Sequence, residues 1–203
     1  MTDRANGSGG AGGAVTFRVL TVCTGNTGRS PIIEHLLQRG FEEHGAVGVV
    51  VDSAGTGAVP GSGVEPGAAR ALVEVGLDPS GPGAVRLAPD AVAASDLLLT
   101  ATRAHSAEVL DMNPDSGQRT FTLAEFAVLS VPTRLAGHSA EHMREAVALA
   151  SRRRQSQGQG LALSDDLSDP FGQADEVYQR LRDEVQAHVE RIVPYLLGDT
   201  AAG

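Results

Sequence analysis

The chain has no tryptophan, and two tyrosines and five phenylalanines are its only aromatic residues in 203 positions, so an aliphatic Ala/Val/Leu core is expected. A single cysteine, Cys23, excludes any intrachain disulfide. Nowhere does the chain approach the roughly 18 consecutive apolar residues of a membrane-spanning helix, and no apolar signal segment opens it. These absences lead us to expect a cytoplasmic protein with no membrane partner. Basic residues are outnumbered, with 16 Lys and Arg against 25 Asp and Glu, giving a net charge of −9. Nucleic-acid binding needs a basic footprint, so that class of partner is disfavoured.

What is present describes a globular protein, 41% hydrophobic and 20% charged. Its length suits one α/β domain with a substantial core. The domain is expected over residues 15–198, between a disordered Gly-rich tail at 1–14 and a short tail at 199–203. Phe17, Val19, Leu20 and Val22 mark a first strand over 16–22, and a second is expected over 47–51, closed by Ser53-Ala54-Gly55-Thr56. Between them, Ile32, Ile33, Leu36, Leu37 and Phe41 recur at helical spacing behind Ser30-Pro31, a helix start because proline is tolerated in the first turn.

Further helices are expected over 66–75, 89–94, 102–110, 123–129 and 139–150, with short strands at 97–99 and 119–122. An unusual insertion spans about 131–168, and within it the polar stretch 151–168 reads as mobile, with Arg152-Arg153-Arg154 a solvated loop. A long helix over 174–197 closes the chain, with Val177, Leu181, Val185, Val189, Ile192, Val193 and Leu196 as its stripe. Alternating strands and helices predict a parallel sheet covered on both faces.

The informative segment is Cys23-Thr24-Gly25-Asn26-Thr27-Gly28-Arg29-Ser30. Cys23 ends a strand, Arg29 begins a helix, and two glycines stand between them. A Gly-rich turn feeding a helix N-terminus converges backbone N–H groups on one point and places the positive end of the helix dipole behind an anion. A thiol in that cradle is stabilised as its thiolate, the nucleophilic form. Arg29 can fork onto two phosphate oxygens. Gly25 and Gly28 are expected to supply φ > 0 and close backbone approach. Asn26 tolerates a left-handed conformation and can tie the loop with its amide. The Ser30 hydroxyl can donate to the sulfur.

Residues 22–31 (VCTGNTGRSP) resemble the signature of the low-molecular-weight protein-tyrosine-phosphatase family. Ser53-Ala54-Gly55-Thr56 is similar to that family's strand-end segment, Ser95-Asp96-Leu97-Leu98-Leu99 to its third strand, and Asp169-Pro170-Phe171-Gly172 to its acid loop. The resemblance spans about residues 16–197. It implies a flavodoxin-like four-stranded parallel sheet of order 2-1-3-4, with Ser53 supporting the loop. It also implies a two-step reaction without metal or cofactor. Cys23 displaces the leaving group while Asp169 donates the proton it needs; water then attacks the phosphocysteine with Asp169 as base. Thr24, Gly25, Asn26, Thr27, Gly28 and Ser30 would bind the phosphate, and Phe171 would form a wall beside the substrate group. Asp165 and Asp166 are the next candidates for the acid, and loop solvation is their simpler role.

The chain departs from the family pattern at two places. Gly28 stands where many members have a second cysteine that traps an oxidised nucleophile. The segment Gly83-Ala84-Val85-Arg86 lacks the histidine that supports the loop in many relatives.

The substrate implied is phosphotyrosine in proteins, and the expected partners are a phosphorylated protein and an oxyanion in the loop, for a monomer or weak dimer. Thr27 carries an alternative, because the family's bacterial protein-arginine phosphatases have Thr within the same Cys-Thr-Gly-Asn-Thr run. Two other classes remain open. One is an arsenate reductase using a small external thiol, which has no need for Asp169. The other is a non-catalytic phosphoprotein-binding module, which has no need to keep Cys23, Arg29 and Asp169 together. Outside the loop, His138 and His142 lie four apart on an expected helix without a third ligand nearby, so surface placement is expected rather than a metal site. His105 reads as structural. The arginines at 152–154 could recruit acidic phosphoproteins.

Overall fold

The computed structural model describes residues 16–131, 137–157 and 166–199. The expected tail at 1–14, the last four residues, much of the expected mobile stretch and Asp165 lie outside the described residues. The domain is built on four strands, β1 (Phe17–Cys23), β2 (Val49–Gly55), β3 (Leu97–Thr100) and β4 (Thr120–Thr122). All pair in parallel, in the order β2-β1-β3-β4. Among the described residues seven helices surround the sheet: α1 (Arg29–Glu43), α2 (Pro66–Val73), α3 (Pro89–Ala94), α4 (Arg103–Met112), α5 (Leu123–Leu129), α6 (Ala140–Gln157) and α7 (Asp175–Leu197). A 3₁₀ turn at Pro114–Gln118 precedes β4.

Side chains alternate across a strand, and the central strands are buried on both faces. Phe17, Val19, Cys23, Leu97 and Leu99 belong to the larger core under α1, α2, α5, α6 and α7. Leu20, Val22 and Leu98 belong to a smaller one with Val92 of α3 and Val109 of α4. α2 approaches α7 at Gly67, where a Cβ would stand 2.4 Å from the Tyr178 ring.

β1 ends on Cys23 itself, as the reading of the loop required, so the cysteine is part of the sheet. Two expectations are corrected. β2 is displaced toward the site: Val47 is 81% exposed, and the segment read as a closing turn continues the strand because Asp52, Ser53, Ala54 and Gly55 pair with Leu20, Thr21, Val22 and Cys23. α6 does not stop at 150 but continues through Arg152–Arg154 to Gln157. There the arginines act as fixed donors: Arg153 Nη1 donates to the carbonyls of Leu129 and Val131, and Arg154 to those of Thr120 and Gly117. Arg154 also lies 4.3 Å over the Phe121 ring. Their use against the fold removes two of the three charges from any recruiting patch.

The two histidines of the insertion do not form a pair. His138 precedes α6 and bonds Asp199 at 3.2 Å, whereas His142 is buried on the helix rather than placed at the surface. Among the described residues, no group of three or more His, Cys, Asp or Glu is placed to hold a metal ion. No helix among them is long and apolar enough to cross a membrane.

Candidate active site

The sheet delivers Cys23 to the C-terminal end of β1, and α1 starts six residues later at Arg29. Three carbonyls of the intervening loop are held from outside it. Thr56 N donates to Cys23 O at 2.9 Å, Gly57 N to Thr24 O at 2.8 Å and Glu65 N to Thr27 O at 2.7 Å. Across a planar trans peptide the N–H points opposite to the C=O, so the amides of Thr24, Gly25 and Gly28 turn to the inner side of the loop. Among the described residues, no acceptor takes a hydrogen bond from the backbone N–H groups of Thr24 to Arg29. A row of such donors at a helix start is an anion cradle.

Close approach is provided from outside the loop, at Gly55, where a Cβ would stand 2.4 Å from Thr24 O and 2.8 Å from Asn26 N. The expectation of φ > 0 at Gly25 and Gly28 is not met, and Gly28 has φ −126°. The left-handed position is Asn26, with φ 54°. Its amide fixes that conformation from three directions. Nδ2 donates to Ser30 Oγ at 3.0 Å and to Ser53 Oγ at 2.7 Å, and Oδ1 accepts from Val85 N at 2.7 Å. The segment that lacks the family's histidine thus supports the loop with a backbone amide instead. Ser53 passes its own proton to the Glu34 carboxylate, whose pKa burial pushes up.

Cys23 is 2% exposed, with Sγ 3.0 Å from Ser30 Oγ. Because Ser30 Oγ already accepts from Asn26, its proton is free for the sulfur; the alternative acceptor, Ala54 O, is 3.5 Å away. A hydroxyl aimed at sulfur can donate to it when it carries negative charge. Arg29 is buried at 7% exposure, and its Nη2 bonds Asp169 Oδ2 at 2.8 Å, with Nη1 3.4 Å from Leu167 O. The ion pair therefore joins the nucleophile loop to a turn 140 positions away. Asp169 Oδ1 accepts from Phe171 N at 3.2 Å, and the Phe171 ring stands 72% exposed on the same turn. The Thr27 side chain is half-buried, and its hydroxyl has no hydrogen-bond partner among the described residues.

Two site residues carried a blander expectation. Asp166 does not merely solvate the loop: its carboxylate accepts from Arg103 N at 2.9 Å, at the first residue of α4, and lies 3.8 Å from that arginine's Nε. Leu167 N donates to Ala101 O at 2.9 Å beside it. His105, 5% exposed, has Nε2 2.8 Å from Thr24 Oγ1 and Nδ1 2.7 Å from Thr102 Oγ1. Its pKa is pushed down by burial first and by the Arg29 charge second. The contact to Thr24 crosses 81 positions, and no local pattern announces it.

A parallel sheet whose first strand ends in a Cys-x5-Arg cradle, with a carboxylate on the arginine, defines a cysteine-loop phosphatase scaffold. The model of the low molecular weight phosphotyrosine protein phosphatase family matches residues 18–136, and the chain belongs to that family. A protein-arginine-phosphatase of Geobacillus stearothermophilus is 28% identical over 180 residues, covering 89% of this chain and 96% of the relative. The low molecular weight protein-tyrosine-phosphatase Wzb of Escherichia coli K12 is 36% identical over 97 residues, 48% of this chain and 63% of Wzb. Among solved structures, a mutant of the YwlE arginine phosphatase with a phosphorylated active-site serine superposes with a TM-score of 0.66 at 25% identity, covering 87% of this chain and 93% of that one.

Proposed function

We propose that the protein hydrolyses phosphotyrosine in proteins through a phosphocysteine intermediate, with Cys23 as nucleophile, Arg29 as oxyanion clamp and Asp169 as acid and then base. The observation that carries this reading is the Arg29–Asp169 ion pair at the end of the loop that Cys23 opens. It brings a guanidinium and a proton-transfer group to one cradle. In the first step the Cys23 thiolate attacks phosphorus in line, the P–O bond breaks, and Asp169 gives its proton to the leaving oxygen. In the second, Asp169 takes a proton from water as its oxygen attacks phosphorus, and the Cys23 sulfur departs with the Ser30 hydroxyl donating to it. Arg29 and the inward amides hold the equatorial oxygens in both steps. The neighbour structure with a phosphorylated serine at its active site supports a covalent route. A reactive thiolate also requires a reducing compartment, which favours the cytoplasm.

A second reading, phosphoarginine in proteins, is favoured by the unpartnered Thr27 hydroxyl and by the near full-length likeness to a protein-arginine-phosphatase. The mechanism is unchanged, with a guanidinium nitrogen as the atom protonated. Arsenate reduction leaves Asp169 without a task, and a binding module leaves the Cys23–Ser30 contact without one. Initial rates on phosphotyrosine and phosphoarginine peptides, run in parallel with arsenate reduction as control, decide among them. Phosphotyrosine turnover is expected, and Cys23→Ser should reduce it by at least about a thousandfold. Normal turnover by that variant would refute the covalent mechanism.

A further inference from the structure

We propose that His105 is a positioning residue for the nucleophile loop, acting through the hydroxyl of Thr24. The inference rests on the phosphatase reading, since it concerns the residue that follows the nucleophile. Thr24 lies just beyond the end of β1, and it is gripped from both neighbouring strands. On the β2 side, Gly57 N holds its carbonyl at 2.8 Å, and its Cγ2 is 3.3 Å from where a Cβ on Gly57 would stand. On the β3 side, His105 in the first turn of α4 holds its hydroxyl at 2.8 Å. Thr24 itself is exposed, so no wall of packed side chains orients it. The bonds from Thr56 N to Cys23 O and from Gly57 N to Thr24 O set the peptide planes on either side of Thr24, and the His105 bond fixes its side-chain rotamer between them, which holds the aim of the first amides of the cradle.

The imidazole is suited to this task because it cannot turn. Both nitrogens are used, and the ring is buried. Thr102 Oγ1 accepts the backbone N–H of His105 at 3.3 Å, so the Thr102 proton is free to go to Nδ1. Nε2 then carries the hydrogen and donates to Thr24 Oγ1. The opposite tautomer would leave the Thr102 proton without an acceptor in a buried place, which costs more than the free proton of exposed Thr24. Burial and the Arg29 charge keep the ring neutral against Glu108, Asp166 and Asp169, which act the other way. A neutral ring positions Thr24 without adding a cation beside Arg29, which already supplies the clamp.

The test compares His105→Ala, Thr24→Val, the double variant and Thr24→Ser by steady-state hydrolysis of an aryl phosphate. Each of the first two should lower kcat about three- to tenfold, the worth of one hydrogen bond, with KM little changed. The double variant should be no slower than the slower single one, and Thr24→Ser, which keeps the hydroxyl, should turn over faster than Thr24→Val. A second readout needs no turnover. The ratio of Cys23 alkylation by iodoacetamide at about pH 6 to that at about pH 9 reports thiolate content apart from access. It should fall about three- to tenfold in both single variants. Losses in kcat that multiply in the double variant, or an unchanged ratio in the folded single variants, would overturn the proposal. If His105→Ala does not fold, Thr24→Val alone decides through the ratio. Absence of wild-type turnover would instead strike the phosphatase reading, and the alkylation ratio would still decide the role of His105.

Discussion

The nucleophile loop and the acid turn meet at one ion pair, yet they are built in opposite ways. Cys23, Asn26, Arg29 and Ser30 are all buried, and successive bonds from Glu34 through Ser53, Asn26 and Ser30 reach the sulfur. Asp169 keeps a side chain 58% exposed, and its turn is attached by Arg29, by Asp166 on α4 and by Leu167 on Ala101. The contrast suits the chemistry proposed for each. A thiolate and its amides gain from a fixed, dry setting, because dipoles aimed in advance need no reorganisation during reaction. A group that gives a proton in one step and takes one in the next must exchange it with solvent. Rigidity is therefore concentrated on one side of the phosphorus and access on the other.

The largest effect should come from separating these roles at the carboxylate itself. Asp169→Asn keeps a hydrogen-bonding oxygen for Arg29 but cannot donate the proton of a carboxylic acid. With a poor leaving group, kcat should fall by about a hundredfold or more, the range of general acid catalysis. A good leaving group such as p-nitrophenol needs less protonation, and the loss there should be smaller. Rates over a series of aryl phosphates measure this. An equal loss across the series would mean that Asp169 only holds Arg29 in place.

A smaller effect should come from loosening the acid turn while leaving the nucleophile loop alone. Asp166→Ala removes the bond to Arg103 N and the nearby guanidinium contact, and leaves the Leu167–Ala101 bond. We expect kcat to fall about tenfold, the value of one charged hydrogen bond at a moderately exposed position. The ratio of Cys23 alkylation at low and high pH should not change. A shift in that ratio would show that the two regions are mechanically one.

The same contrast explains how much could be read from the sequence. The nucleophile loop is contiguous, and each residue type there has a short-range reason to be present. The helix start at Ser30-Pro31 and the left-handed Asn26 were legible without any partner, although the glycines flanking Asn26 serve a conformation other than φ > 0. The helix over 123–129 was legible for the same reason, because apolar spacing is local, whereas the strand order came with the family resemblance. What escaped is held by bonds that join distant positions. Asp166 looked like loop solvation because its partner, the amide of Arg103, carries no side-chain signature. Val85 supports Asn26 through its backbone, so the sequence showed the missing histidine but not the amide that bonds Asn26 from the same segment. β2 was misplaced because its last four residues are small or polar, and their strand character comes from pairing with β1 rather than from propensity.

The end of α6 is the remaining place where polar sequence misled, and it gives the mildest prediction. Met143, Ala146, Val147 and Ala150 supply its apolar face, after which no further apolar residue continues the stripe. The helix persists because Arg154 replaces burial by a guanidinium wedged between two carbonyls, the Phe121 ring and Glu125 Oε2 at 3.7 Å. Burial pushes the Glu125 pKa up and Arg154 opposes it, so the pair depends on the cation. Arg154→Met keeps an unbranched side chain but removes the guanidinium from the ring and strands both carbonyls and the carboxylate. Loss of about 2 kcal/mol is expected. For a domain of this size that lowers Tm by roughly 4–8 °C. Aryl phosphate turnover at 25 °C should be unchanged, because the partners of Arg154 lie on β4, α5 and the turn before β4. A thermal melt equal to wild type would mean that the last turn of α6 is solvated, as its composition suggests, and that β4 holds its position without it.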